Sequence, residues 1–148
     1  MFNRILIPTD GSDTVIPAVE TALDIAKTYD ATLHVLFIVD PPPSISGTGE
    51  GFTGIDNLLD ELEHEGHQIT NAVAAQATDN EIEAETAVQR GNPHDDIITY
   101  ATENDIDLIV MGTHGRTGVK RALLGSVTEG VVRHSEIPVL SVHQEPDE

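Results

Sequence analysis

Five short runs rich in apolar and β-branched residues recur along the chain, each separated from the next by a stretch whose apolar positions follow a helical period. RILIPT (Arg4 to Thr9) leads into the turn-prone DGSD and reads as a buried strand closing in a loop. ATLHVLFIVD (Ala31 to Asp40) is apolar at nearly every position, the pattern of a strand covered on both faces. IEAETAVQ (Ile82 to Gln89) alternates, as a strand does when one face is better covered. DLIVMG (Asp107 to Gly112) and IPVLSV (Ile137 to Val142) complete the set.

The intervening stretches predict helices. Val15, Val19, Ala22, Leu23 and Ala26 mark one over Val15 to Tyr29. Ile55, Leu58, Leu59, Leu62, Ile69, Ala72 and Val73 mark a longer one, from Ile55 to about Thr78. A third starts after Asn92, with Pro93 in its first turn and Ile97, Ile98 and Ala101 inward. SVTEGVVRHS has the composition of a fourth. Prolines and glycines in Asp40 to Gly54 exclude regular structure and predict a mobile loop. Strands and helices alternating in this way predict an α/β fold: an open five-stranded parallel sheet with right-handed crossovers and helices on both faces, Rossmann-like in plan.

At 148 residues the chain fits a single domain, residues 1–148, with the loop at 40–54 and a short acidic tail at 144–148. No window approaches the roughly 20 apolar residues of a membrane span, and no secretory signal opens the chain, so a cytoplasmic protein without a membrane partner is expected. Cysteine is absent, which excludes disulfides, thiolate metal sites and a cysteine nucleophile. Seven basic residues face 26 acidic ones, a net charge of −19, and only two of the basic residues are lysines. The acids are spread along the chain and form no single tail, as in a halophile whose surface is solvated in concentrated salt. Such a surface repels phosphate backbones, so nucleic acid is not an expected partner.

Against that background GTHGRTGVKRALLGSV (Gly112 to Val127) stands out, with four of the twelve glycines and three of the seven basic residues. It follows the fourth strand. In a parallel sheet ligands bind beyond the carboxyl ends of the strands, where the strand order reverses. Gly112 and Gly115 allow tight turns, Gly125 and Ser126 open the next helix, and a helix N-terminus offers unpaired N–H groups to an anion. Arg116, Lys120 and Arg121 add local positive charge, and Ser126 adds a hydroxyl donor. A polyphosphate suits these features. The plainer alternative is a turn whose basic residues pair with the acidic surface. The spacing is neither that of the P-loop nor that of the dinucleotide fingerprint.

The pattern G-x2-G-x9-G-S at Gly112, Gly115, Gly125 and Ser126 resembles the nucleotide-binding signature of the universal stress protein family. ILIPTDGS after the first strand, VD closing the second, RGNPHDDIITYA and VVRHSEIPVLSV extend the resemblance over essentially the whole chain, Pro41 to Thr53 excepted. The resemblance implies strand order 3-2-1-4-5, an adenine nucleotide alpha hydrolase-like fold, and a homodimer formed through the last strand, 137–142. It implies ATP, or ADP or AMP, as ligand, and at a net charge of −19 high salt and Mg2+ are expected to be required for holding it. Pro8, Thr9 and Asp10 would contact the adenosine end, Val39 would line the adenine pocket, and Met111 and Gly112 would border the ribose. Gly115, Gly125, Ser126 and Val127 would wrap the phosphates. It also implies a regulatory stress-response module with an unknown protein partner and little or no hydrolysis, against the alternative of a slow Mg2+-dependent ATPase or nucleotidyl-transfer enzyme.

Read as residues alone, Asp10 in DGS suits a turn as well as a ligand, and Val39 and Met111 suit the edge of a core. His114, inside the glycine loop, suits a hydrogen-bond donor to phosphate better than a proton shuttle. His64 and His67 among Glu61, Glu63 and Glu65 belong on a solvated acidic helix face, and His34 within a strand suits a partly buried, hydrogen-bonded role. Ser12, Ser126 and Thr9 have no identifiable base, and Asp10 and Asp13 at most help to place Mg2+, so no catalytic set is predicted. A phosphoryl-accepting receiver domain is excluded because the third strand ends in Gln89 and Arg90 instead of aspartate. The loop at 40–54 is a candidate lid.

Overall fold

In the computed structural model, which describes residues 2–40, 52–113 and 125–143, the strands form one parallel sheet in the order β3-β2-β1-β4-β5. The strands are β1 (Arg4–Pro8), β2 (Thr32–Val39), β3 (Ala84–Arg90), β4 (Leu108–Gly112) and β5 (Val139–Val142). The helices are α1 (Ile16–Tyr29), α2 (Phe52–Asp79), α3 (Pro93–Glu103) and α4 (Ser126–His134). The alternating α/β plan and the order 3-2-1-4-5 are as the sequence and the resemblance led us to expect.

The period-two geometry of the strands explains why the central ones are apolar throughout. Ile5, Ile7, Leu33, Val35, Leu108 and Val110 point to one face and pack with Val19, Ala22 and Ala26 of α1 and Val73 and Ala77 of α2. Leu6, Leu36, Ile109 and Met111 point to the other and pack with Ile97, Tyr100 and Ala101 of α3 and Val131 of α4. Each fully buried aliphatic side chain contributes about 1.5–3 kcal/mol, so both faces bind the helices firmly. β3 is an edge strand: Glu85, Thr86, Gln89 and Arg90 are exposed, and only Ala84, Ala87 and Val88 lean on the core.

Four local expectations need correction. The loop assigned to 40–54 ends sooner, because Phe52 to Gly54 already belong to α2; residues 41–51, and with them the lid idea, lie outside the described residues. Ala72, assigned to the inner face of α2, is exposed. The buried stripe runs through Leu59, Gly66, Thr70, Val73 and Ala77, and Thr70 fits because its hydroxyl donates to the Gly66 carbonyl at 2.9 Å. α1 is preceded by a 3-10 turn, Asp13–Val15, so Val15 precedes the α-helix. The last strand starts at Val139 instead of Ile137, since the Ser135 hydroxyl bonds both the amide and the carbonyl of Ile137 and bends the chain there. α3 begins as predicted: the Asn92 side chain accepts from the Asp95 amide at 3.1 Å, and Pro93 fills the first turn.

Candidate functional site

The strand order reverses between β1 and β4, so the crevice at their carboxyl ends is where this sheet can receive a ligand. On the β1 side the chain turns sharply after Pro8. The Thr9 amide donates to the Leu36 carbonyl of β2 at 2.9 Å, and the buried Thr9 hydroxyl accepts from the Gly11 amide at 3.1 Å. Asp10 accepts the Ser12 amide at 2.9 Å through Oδ1, so this carboxylate shapes the turn, as its place in DGS suggested. Gly11 takes a left-handed backbone, φ 80°, which only glycine adopts freely. The Ser12 and Thr14 hydroxyls are hydrogen-bonded to one another at 2.7 Å in the turn that follows.

On the β4 side the strand ends at Gly112, and the geometry shows why this residue is glycine. A Cβ there would stand 2.9 Å from the Thr14 main-chain carbonyl oxygen, so a side chain would force β4 and the 3-10 turn apart. The helix α4 is fastened to the same rim twice. Gly125 donates from its amide to the Thr113 carbonyl at 2.6 Å, and the Thr128 hydroxyl donates to the Gly112 carbonyl at 2.8 Å. Residues 114–124, which carry His114, Gly115, Arg116, Lys120 and Arg121, lie outside the described residues, but the segment's two anchors, Thr113 and Gly125, are brought together.

Gly125 is the N-cap of α4, and its carbonyl accepts the first helical bond, from the Glu129 amide at 2.9 Å. Ser126, Val127 and Thr128 are the first-turn residues whose N–H groups the helix itself cannot satisfy. These donors and the positive end of the helix dipole meet the strand ends, an arrangement suited to an anion. Ser126 is exposed, Val127 half-buried and Gly125 buried.

Val39 and Met111, assigned by the resemblance to the adenine pocket and the ribose, are both buried at the carboxyl ends of their strands. Val39 is 1% exposed and packs with Phe37 and Leu59, while its carbonyl accepts the Gly91 amide at 2.9 Å. Met111 is 5% exposed and lies in the cluster under α3 and α4. The plain sequence reading of both as core-edge residues fits this burial. Sequence reasoning missed Thr14 and Thr128. The signal for Thr128 was present in SVTE, a hydroxyl residue in the first turn of a helix whose N-cap is glycine.

The other singled-out side chains are also placed. His64 and His67 are exposed on α2, and Glu63 of that face pairs with Arg90, which also reaches Asp60 at 3.1 Å. His34 is more buried than expected, 4% exposed, with Nδ1 2.8 Å from the Tyr100 hydroxyl and Nε2 3.6 Å from the Glu85 carboxylate. Burial lowers its pKa below the ordinary imidazole value, outweighing the upward pull of Glu85; Arg4 pushes the same way as burial. Tyr100 is raised, first by burial and then by Glu85. Among the described residues no group of three or more His, Asp or Glu side chains surrounds a common point, and no helix is long and apolar enough to cross a membrane.

With this geometry in view, the comparisons with known proteins agree with one another. The family model described as the universal stress protein family matches residues 1–143. A universal stress protein of Methanocaldococcus jannaschii is 37% identical over 142 residues, covering 96% of this chain and 82% of its own. The universal stress protein UspA from Lactobacillus plantarum superposes with a TM-score of 0.87 at 28% identity, over 96% of this chain and 98% of its own. A universal stress protein solved in complex with cAMP superposes with a TM-score of 0.69 at 27% identity, over 96% of this chain and 97% of its own. The chain belongs to the universal stress protein family.

Proposed function

We propose that the protein is an ATP-binding, single-domain member of its family that acts as a nucleotide-dependent regulatory module in the stress response, with little or no hydrolysis. One observation carries this reading: the first turn of α4 is fastened by Gly125 and Thr128 to the carboxyl end of β4, beside the turn that Thr9 and Asp10 make after β1. A helix N-terminus held at the switch point of a parallel sheet is a donor set for phosphate. The cAMP complex of a structural relative supports an adenine nucleotide as the ligand class.

In this reading Pro8, Thr9 and Asp10 meet the adenosine end, Val39 borders the adenine, and Met111 and Gly112 the ribose. The amides of Gly115, Gly125, Ser126 and Val127 hold the phosphates, His114 donates a hydrogen bond, and Arg116 supplies cationic charge. When bound, Mg2+ offsets phosphate charge, which a chain of net charge −19 needs before it can hold another polyanion. Two homodimer subunits join through β5, whose Leu140 is exposed at the edge of the sheet; this strand edge is the kind that pairing protects. A halophilic cytoplasm accounts for the acidic surface.

The same donor set suits a monophosphate, and the cAMP complex of a relative favours that second reading. One experiment separates them. Protein purified in molar KCl with Mg2+ is denatured and the released nucleotide identified by mass spectrometry, for the natural chain and for Gly125→Val. Gly125 has φ −65° and ψ 155°, a backbone valine accepts, so the variant tests space near the phosphate and not backbone strain. ATP from the natural chain and none from the folded variant is the expected result. AMP or cAMP shifts the reading to a monophosphate, and an empty protein that also fails to take up added nucleotide overturns it. Turnover at or above about 1 s⁻¹, lost in His114→Ala, marks an enzyme instead.

A further inference from the structure

Outside the strand crevice, on the face of the sheet that carries α3 and α4, two imidazoles meet. His94, in the first turn of α3, and His134, in the last turn of α4, have ring centroids 5.0 Å apart with planes tilted by 54°. Nothing in the nucleotide reading uses them.

Their tautomers are set by neighbours. The Nδ1 of His134 lies 3.0 Å from the Gly130 carbonyl, which can only accept, so in the neutral ring this nitrogen carries the proton and Nε2 keeps its lone pair. The Nδ1 of His94 lies 3.2 Å from the Asp95 carboxylate, which favours the proton on that nitrogen and again leaves Nε2 as the acceptor. That Nε2 is buried and has no hydrogen-bond partner among the described residues. An imidazole held at Nδ1 by a carbonyl or a carboxylate, with its Nε2 lone pair uncommitted, is how proteins present histidine to a metal ion.

The separation of the two rings is compatible with one shared ion. A Cβ on Gly130 would lie 2.7 Å from His94 Cδ2, so only the missing side chain lets the His94 ring settle against α4. Two imidazoles bound through Nε2 to one tetrahedral ion, with bonds of about 2.0–2.1 Å, have centroids roughly 5 Å apart. The observed separation matches.

We propose that His94 and His134 form a binding site for one borderline first-row divalent ion, Zn2+ in the first place, that clips the start of α3 to the end of α4. Since no third His, Asp or Glu converges there among the described residues, water completes the coordination and the ion exchanges. Nitrogen donors select Zn2+ or Cu2+ over Mg2+, which the surface carboxylates prefer.

The test uses the full chain, stripped with EDTA and dialysed into buffer with millimolar Mg2+ to saturate the carboxylates, then titrated calorimetrically with Zn2+ alone. One strong site per chain is expected, with affinity falling at least roughly tenfold in His94→Gln and in His134→Gln, both still folded by circular dichroism. Gly130→Ala, which keeps both ligands but displaces the His94 ring, should weaken binding too. Cu2+ loaded at one equivalent should show two nitrogen ligands by electron paramagnetic resonance, and one in either variant. No strong site, or a site unaffected by the His94 and His134 changes but removed by His64→Gln with His67→Gln, overturns the proposal. Removal of nucleotide leaves the Zn2+ stoichiometry unchanged if the site is separate, so a failed nucleotide reading does not decide this one.

Discussion

The Thr128 hydroxyl donates a 2.8 Å hydrogen bond to the main-chain carbonyl of Gly112, joining the first turn of α4 to the end of β4 across sixteen residues. Both groups are buried, so the carbonyl has no water to fall back on. The bond sets where the α4 dipole points. It therefore links packing to any anion held at the crevice.

Thr128→Val keeps the shape and removes the donor. The Gly112 carbonyl is left unsatisfied, at a cost of about 1–3 kcal/mol in stability. Denaturant unfolding in molar KCl measures it, and Thr128→Ser should recover most of the loss. Equal stability of the Val and Ser variants would show that the bond contributes nothing.

Gly112→Ala separates packing from ligand contact. Its methyl group meets the Thr14 carbonyl oxygen at 2.9 Å, and main chain cannot swing aside as a flexible side chain can. Overpacking of this sort costs about 1–3 kcal/mol. The loss should appear in nucleotide-free protein. If the variant loses nucleotide affinity with an unaltered melting temperature, Gly112 serves the ligand and not the fold.

His34 makes stability depend on pH. Its pKa in the folded protein is depressed, so between that value and the ordinary imidazole value of about 6.5 the unfolded chain binds a proton that the native chain does not. The contribution is complete above about pH 6.5 and is lost as pH falls from there through the folded value. His34→Gln should flatten this part of the stability profile, read from unfolding curves between pH 7.5 and 5. A profile identical in the natural chain and the variant contradicts the assignment.

Asn92→Ala removes the cap of α3, whose side-chain oxygen accepts the Asp95 amide. The expected cost is about 1 kcal/mol, and Asn92→Asp should restore it. Amide exchange of the first turn of α3 reports the change locally, with faster exchange at Asp95 in the alanine variant alone.

Salt should stabilise the molecule. At net charge −19, raising KCl from 0.1 to 1 M shortens the screening length from about 10 to about 3 Å and weakens self-repulsion. The melting temperature rises accordingly, and NaCl at equal ionic strength gives most of the same gain. A flat response over that range excludes charge repulsion as a controlling term.

Much of this was legible in the chain itself. Leu33 to Val39 are apolar at almost every position because both faces of β2 are covered, and Asn92-Pro93 marks the start of α3 by cap chemistry that acts over three residues. Turn chemistry and burial period are local, so the sequence carries them openly, and the glycine signature carried the family. What it could not carry was contact between distant residues. Ala72 and Thr70 exchange roles on α2 because a hydroxyl can be buried once it bonds to its own helix, and Thr14 meets Gly112 only after β4 has come to lie beside β1. The pairing of His94 with His134 has the same origin: neither ring has a signal in its own neighbourhood, and only the packing of α3 on α4 brings them to 5.0 Å. Periodicity fixes which face a segment buries, while the partner on that face is chosen by the whole sheet.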